Sequence, residues 1–159
     1  MLRSRIPALE LRIVGGGPEE SRLKALYLEL HLEGCVQWLG NATRAQLARE
    51  YKACHVFCLP SVQEGFGLVF LEAMATGKPI VAARAAAVPE VVKHGILVEP
   101  ENAEALANGI EQLYKSPDLQ AKLAAESHEL VKNFDAPVVA SMFLQELSRI
   151  LQLRNRSAG

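Results

Sequence analysis

Hydrophobic and polar positions alternate between two periods along the first hundred residues. Short apolar runs predict β-strands at 9–15, 35–40, 55–60, 78–83 and 96–100. Amphipathic stretches between them predict helices at 18–32, 43–54 and 68–76, with one helical turn at 89–92. After Pro100 the pattern is helical throughout, over about 103–116, 118–133 and 137–153.

Local signals support this division. Thr43 is a good N-cap for the second helix, which carries Leu47 and Tyr51 on one face, and Gly77 stands where helices favour a left-handed cap. Strand–helix alternation with short connectors is typical of a parallel sheet covered by helices on both sides. The sequence therefore predicts one α/β domain over 1–159, a doubly wound, Rossmann-like parallel sheet that ends in helices. Ligands of such sheets bind at the carboxyl ends of the strands.

Composition narrows the class of partner. Of the 159 residues half are apolar and 22% are charged, and the net charge is −1, so nothing favours nucleic acid. No apolar run reaches the ~20 residues of a membrane span, although the basic end "SRILQLRNRSAG" leaves peripheral membrane contact as an alternative. Cys35, Cys54 and Cys58 lack metal-ligand spacing and are interpreted as small buried thiols, which favours a reducing, cytoplasmic compartment.

Two glycine-rich turns, Gly15–Gly17 and Gly65–Gly67, each follow a predicted strand and precede a predicted helix. They are therefore expected at the same rim of the sheet. The second turn lies between two glutamates, Glu64 and Glu72, which are eight residues apart. These carboxylates are either an acid/base pair, a ligand clamp or ordinary helix surface.

Spacing argues against the acid/base pair. Glycosidase carboxylates stand roughly 5–9.5 Å apart across one bond, whereas eight helical steps separate two residues by ~12 Å along the axis and about 80° around it. The intervening glycines instead place Glu64 in a loop and Glu72 in a helix. Ionised carboxylates accept hydrogen bonds only, so their natural partners are hydroxyls. Against the surface alternative, Glu72 lies in the apolar "LVFLEAMA", where a carboxylate needs a partner.

Between the glutamates "GFGLV" begins a helix, and the unpaired N–H groups of a first turn attract anions. The resulting order is hydroxyl acceptor, phosphate cradle, hydroxyl acceptor. A sugar–diphosphate–ribose has that order of groups.

The segment "PSVQEGFGLVFLEAMATGKPIVA" resembles the E-x7-E signature of retaining glycosyltransferases of the GT-B fold, family 4 (glycosyl transferases group 1). Weaker similarities occur in the family's order: "RIVGGGPE", "VQWLG" and "VPEVV". The resemblance covers nearly the whole chain, as the C-terminal half of a GT-B fold, a nucleotide-sugar-binding domain without the N-terminal acceptor domain.

The resemblance implies a role for each matching residue. Glu64 would contact hydroxyls of the donor hexose in the catalytic site, and Glu72 would bind the ribose hydroxyls. The diphosphate would be held by main-chain amides of Gly65, Phe66, Gly67 and Leu68, with Gly15 and Gly17 opposite. The residues just after Trp38–Gly40 would lie near the base. The resemblance implies no bound metal and no cofactor, the nucleotide sugar being a substrate.

This sequence also departs from the family pattern. The family's arginine–lysine pair precedes the G-x-G-P strand, and Arg3 and Arg5 do not match that motif. Ala86 and Ala87 stand where the family has glycines, which restricts the backbone, and the following loop is shortened to "KHGILV". Both departures weaken the expectation of an intact donor site.

Other polar residues are given plainer interpretations. Lys78 is interpreted as a strand-start charge, while Lys93 and His94 are either phosphate contacts or surface. The remaining histidines, which fall in helix or strand patterns, are interpreted as structural: His31, His55 and His128.

Two functions follow. The first is the donor-binding domain of a hexosyltransferase-like enzyme, incomplete for turnover alone. The alternative is a non-catalytic truncated homologue that acts as a nucleotide-binding or protein-interaction module. For this alternative the resemblance also implies that the helix 137–153 exposes an apolar face, because C-terminal helices of GT-B proteins normally pack on the other domain. Such a face would promote self-association or docking of a separate acceptor-domain chain.

Overall fold

Parallel strands alternate with helices through the first hundred residues, as the sequence predicts. The structure is a computed structural model that describes residues 1–157, with side chains through Leu153. The strands are β1 Leu11–Val14, β2 Val36–Gly40, β3 Phe57–Leu59, β4 Ile80–Ala83 and β5 Ile96–Val98. The helices are α1 Leu2–Arg5, α2 Glu20–Glu29, α3 Arg44–Ala53, α4 Leu68–Ala75, α5 Val88–Val91, α6 Ala103–Lys115, α7 Pro117–Val131 and α8 Ala136–Ser157, with a 3-10 helix at Lys132–Phe134.

All strand pairs are parallel, but they form two sheets where one continuous sheet was expected. One sheet pairs β1 with β2, and the other has the order β3-β4-β5. One physical difference is burial. All four residues of β4 are buried, whereas β1 buries none and leaves Leu11 47% exposed. Burial alone does not explain the division, because β3 also has no fully buried residue and yet pairs with β4.

The core lies on both faces of β4. Ile80 and Ala82 face one cluster, which contains Tyr51, Phe70 and Met74. Val81 points to the other face, where it packs in a cluster with Leu113 of α6 and Val98 of β5. Side chains of a strand alternate between its faces, so a fully apolar strand such as β4 indicates cover on both sides. This part of the chain is doubly wound, as predicted.

The structure confirms the predicted helix-capping residues Thr43 and Gly77. The Thr43 side chain accepts from the main-chain N–H of Gln46 and completes a capping box at the start of α3. Gly77 has φ 65, and its N–H donates to Met74 O at 2.9 Å, as expected for a left-handed helix end.

Helix α2 differs from its sequence pattern. It ends at Glu29, earlier than the predicted residue 32, and His31 lies beyond it with φ 49. The leucines at helical spacing are exposed: Leu23 (39%) and Leu26 (40%) in α2, and Leu30 (55%) just after its end.

The C-terminal helix α8 exposes an apolar face, as the sequence predicts. Its large exposed side chains include Met142, Phe143, Leu147 and Ile150. At the other end of the chain, Arg5 donates to Asn108 and Glu111 of α6, and Arg3 donates to His31 O. In the described residues no helix is both long and apolar enough to cross a membrane.

Candidate functional site

The turn between β3 and α4 is shaped by Gly67. This residue caps α4 with φ 75, a left-handed conformation that costs other residues roughly 1–2 kcal/mol. It is also closely packed, because a Cβ at this position would lie 2.5 Å from Cδ2 of Phe70. Gly65, in contrast, has open space where a Cβ would be. One glycine therefore fixes the turn, and the other leaves its outer surface accessible.

The main-chain N–H groups of this turn are free within the described part of the chain. Those of Gly65, Phe66, Gly67 and Leu68 donate to no described acceptor, and the first N–H used is that of Phe70, which donates to Gly67 O at 2.9 Å. Free N–H groups at a helix N-terminus carry the positive end of the helix dipole. The turn is thus suited to hold an anionic group.

Glu64 lies beside this turn. Its side chain is half-buried, and Oε2 is 3.7 Å from the position that a Cβ on Gly67 would occupy. Among the residues whose side chains are described, Glu64 has no hydrogen-bond or ion-pair partner. Its carboxylate therefore remains available to accept hydrogen bonds from a ligand.

Glu72 lies one helical turn further along α4 and has the partner that its apolar surroundings predicted. The hydroxyl of Tyr51, from α3, donates to Glu72 Oε2 at 2.9 Å. The side chain also borders a groove of about 300 Å³, lined by Leu68, Leu71, Glu72, Ala75, Val131, Phe134 and Asp135. Glu72 is thus an exposed residue with one carboxylate oxygen hydrogen-bonded to Tyr51 and the other open to a ligand.

An aromatic contact attaches the turn to the C-terminal part of the chain. The ring of Phe66 meets that of Phe134 edge-on, with centroids 5.9 Å apart. Phe66 remains 47% exposed despite this contact. The sequence pattern did not reveal the pairing, since the two residues lie in separate apolar stretches far apart along the chain.

The first glycine turn has a different structure. Gly15 has φ 102, and its N–H donates to Gly40 O at 2.7 Å, which ties the carboxyl ends of β1 and β2 together. The amide of Gly15 is therefore occupied, while Gly17 has open space around its Cα and uses only its carbonyl, which accepts from Glu20. Both turns follow parallel strands, but no hydrogen bond or ring contact among the described residues joins them.

Most basic side chains near the sheet already have partners. Lys78 donates to Lys52 O at 2.7 Å and Lys93 to Pro89 O at 3.0 Å, which supports structural roles for both. His94 pairs with Glu126 at 3.3 Å. His128 Nδ1 lies 3.2 Å from Met74 O, in agreement with its structural interpretation.

Arg84 is a residue that the sequence interpretation missed. It directly follows β4 at the carboxyl end of the sheet, is exposed, and makes no side-chain hydrogen bond or ion pair with the described residues. The signal was available, because a cation that ends the buried run "PIVAA" lies at the rim where ligands of such sheets bind.

The loop after Arg84 contains the two alanines, Ala86 and Ala87, that stand where the family has glycines. Ala86 has φ 47, so an alanine occupies the left-handed conformation that glycine adopts without strain. Ala87 has φ −78 and is unstrained. In the shortened loop that follows, Gly95 packs tightly, because a Cβ there would lie 2.6 Å from Val92 Cγ1.

Comparison with known proteins shows the family of the chain. The family model for glycosyl transferases group 1 matches residues 1–130. An uncharacterized glycosyltransferase of Haemophilus influenzae is 33% identical over 138 residues, covering 84% of this chain and 38% of that protein. The chain belongs to the family of glycosyl transferases group 1.

Solved structures show the same fold. Sucrose-phosphate synthase from Thermosynechococcus elongatus superimposes with a TM-score of 0.80 and 31% identity, over 96% of this chain and 41% of that one. Anabaena HepE in complex with UDP-glucose gives a TM-score of 0.80 and 28% identity, over 90% and 42%. The chain thus spans about two fifths of the length of these relatives and corresponds to a parallel α/β domain of GT-B glycosyltransferases.

Proposed function

We propose that this chain is the donor-binding domain of a retaining, family 4 glycosyltransferase, which transfers a sugar from a nucleotide-diphosphate sugar to an acceptor. One observation carries the proposal. Four main-chain N–H groups without a described acceptor lie at the start of α4, between a carboxylate in the turn and a carboxylate on the helix. An elongated ligand with an anionic centre and hydroxyls at both ends matches that order of groups.

Each part of the site then has a chemical role. Glu64 orients the donor hexose by accepting hydrogen bonds from its hydroxyls, and Glu72 accepts those of the ribose. The amides of Gly65–Leu68 bind the diphosphate, whose negative charge grows as the sugar departs. Donors that are already oriented stabilise that charge without reorganisation. Gly17 lines the diphosphate from the opposite turn, where the chain has open space. The N–H of Gly15 is already bonded to Gly40 O, so Gly15 shapes that turn and does not donate to the ligand.

The groups that neutralise the diphosphate come from the protein in this proposal. The N-terminal end of α4 supplies part of the positive potential. Among the described residues no cluster of three or more metal-ligating side chains occurs. Arg84 is the exposed cation at the carboxyl end of β4, and we include it as a candidate phosphate contact.

Calorimetry on the whole chain tests the proposal. UDP, GDP and ADP are titrated into the unmodified protein, into Glu72→Ala, and into Glu33→Gln as a matched control. Glu33 is exposed and has no described hydrogen-bond or ion-pair partner. The proposal predicts that one nucleotide binds, that Glu72→Ala abolishes its binding, and that Glu33→Gln leaves it unchanged.

A second function is favoured by two other observations: the strained Ala86 and the exposed apolar face of α8. Here the chain is a non-catalytic module that binds a partner chain or a second copy. A folded protein that binds none of the three nucleotides, but sediments as a dimer whose interface is disrupted by Phe143→Asp, supports this alternative instead.

A further inference from the structure

The hydroxyl of Tyr51 connects the interior of the sheet domain to a carboxylate of the proposed ligand site. It lies 2.9 Å from Glu72 Oε2 and 3.3 Å from Val69 O. A hydroxyl has a single proton, and the shorter contact to a charged acceptor is the stronger hydrogen bond. The proton of Tyr51 therefore points to Glu72.

Tyr51 is well placed to fix a carboxylate because it is itself immobile. The residue is only 7% exposed, and its ring packs against that of Phe57 with centroids 5.6 Å apart. It also belongs to the cluster that contains Phe70 and Met74 on the inner side of α4. Glu72, in contrast, is exposed and carries a flexible side chain.

The surroundings of Tyr51 favour the protonated form of its hydroxyl, which is the form that donates a hydrogen bond. Burial, followed by the hydrogen bond from Tyr51 to Glu72, raises the pKa of the Tyr51 hydroxyl far above its ordinary value. Like any tyrosine hydroxyl it is protonated at neutral pH, and the raised pKa keeps it a hydrogen-bond donor into the alkaline range. An ionised carboxylate has about four lone-pair sites on its two oxygens, so one bond to Tyr51 leaves Oε1 free for a pair of ligand hydroxyls.

We propose that Tyr51 is a positioning residue that orients the Glu72 carboxylate and thereby sets the discrimination between ribose and 2′-deoxyribose nucleotides. This inference rests on the proposed function, since it assumes that Glu72 faces the ribose. Without Tyr51 the carboxylate rotates freely and must be ordered by the ligand itself. That ordering cost is larger for a ligand that bonds to the carboxylate through both ribose hydroxyls than for one that keeps only the 3′-hydroxyl.

Tyr51→Phe tests the inference, because it removes one oxygen and keeps the buried ring. The matched control is Tyr27→Phe. The Tyr27 ring packs edge-on against Trp38, and its hydroxyl makes no described hydrogen bond. UDP and 2′-deoxy-UDP are titrated calorimetrically into all three proteins, and circular dichroism checks that each is folded.

We expect Tyr51→Phe to weaken UDP binding about three- to tenfold and to weaken 2′-deoxy-UDP binding clearly less, so that the preference for ribose shrinks. Tyr27→Phe leaves both affinities as they are. An equal loss for the two nucleotides would mean that Tyr51 is only structural and would overturn the inference. So would an unchanged preference for ribose.

A second measurement needs no substitution. The 13C resonance of Tyr51 Cζ is expected to shift when UDP binds and to shift less with 2′-deoxy-UDP, because 2′-deoxyribose has only the 3′-hydroxyl to donate to the same carboxylate. Equal shifts contradict the inference alone. If calorimetry shows that GDP or ADP binds in place of UDP, that nucleotide and its 2′-deoxy form are used in both experiments. If the unmodified protein binds none of the three nucleotides, the proposed function fails, and this inference fails with it.

Discussion

Phe70 packs directly against Gly67 and also forms a main-chain hydrogen bond to it. The N–H of Phe70 donates to Gly67 O at 2.9 Å, while Cδ2 of its ring lies 2.5 Å from the place of a Cβ on Gly67. The core therefore holds the turn of the proposed donor site through a single glycine. A fully buried ring supports that glycine from below.

Gly67→Ala is expected to lower the free energy of unfolding by about 2–3 kcal/mol. The left-handed φ of 75 and the contact with Phe70 both oppose the added methyl group. Gly65→Ala is the control, since open space surrounds its Cα, and we expect a change of about 0.5 kcal/mol at most. Urea unfolding measures both, and equal effects would contradict the described turn.

Ala86→Gly is expected to stabilise the protein by about 0.5–1 kcal/mol. The substitution relieves the left-handed strain at φ 47, which outweighs the larger backbone entropy of glycine in the unfolded chain. Ala87→Gly relieves no strain, because φ is −78, and should give no increase. Thermal unfolding of the two variants distinguishes the positions. A stabilised Ala87→Gly, or a destabilised Ala86→Gly, would show that the loop has another conformation.

Ser127→Ala is expected to lower the free energy of unfolding by about 1–3 kcal/mol. The Ser127 side chain is fully buried, and its hydroxyl donates to His94 O at 2.7 Å, so the substitution leaves that carbonyl without this donor. Ser141→Ala is the control, because the Ser141 hydroxyl donates to Pro137 O on the exposed surface of α8. Chemical denaturation of the pair should give a clearly larger loss at position 127.

Stability should fall at alkaline pH. Burial raises the pKa of the Cys58 thiol from 9.0 to about 11, so the folded state binds the proton more tightly than the unfolded state does. The resulting stability is fully present below pH 9 and is lost as the pH rises towards 11. Cys54 and Tyr51, whose pKa values are also raised, mainly by burial, act in the same direction.

Urea unfolding between pH 8 and pH 11, under reducing conditions, measures this dependence. Cys58→Ala should show a shallower fall than the unmodified protein, because one of the titrating groups is gone. Identical slopes would mean that the Cys58 thiol is not shielded from solvent in the folded protein.

Elements that depend on neighbouring residues could be predicted from the sequence. Thr43 and Gly77 mark helix ends through bonds to residues three positions away, and the alternating periods follow from the geometry of one strand or one helix. The division into two sheets could not be predicted in this way. It depends on whether a strand of the β1–β2 pair forms hydrogen bonds with an edge strand of the other sheet, and that is decided by distant parts of the chain.

The proposed site, too, was only partly predictable from the sequence. The apolar surroundings of Glu72 predicted that the carboxylate has a partner, but not that the partner is Tyr51 on the preceding helix. The glycines around Phe66 predicted an accessible turn, whereas its contact with Phe134 depends on how α7 leads into the 3-10 helix. Composition and spacing show what a residue requires, and packing decides which residue supplies it.

The most direct test of the account is to locate a bound diphosphate at the start of α4. Amide resonances of the whole chain are followed by 15N NMR while UDP, and separately uridine, is added. The account predicts that the amides of Gly65–Leu68 shift strongly with UDP and little with uridine, because only UDP carries the anionic groups they would bind. Saturable UDP binding that leaves those amides unshifted would contradict it.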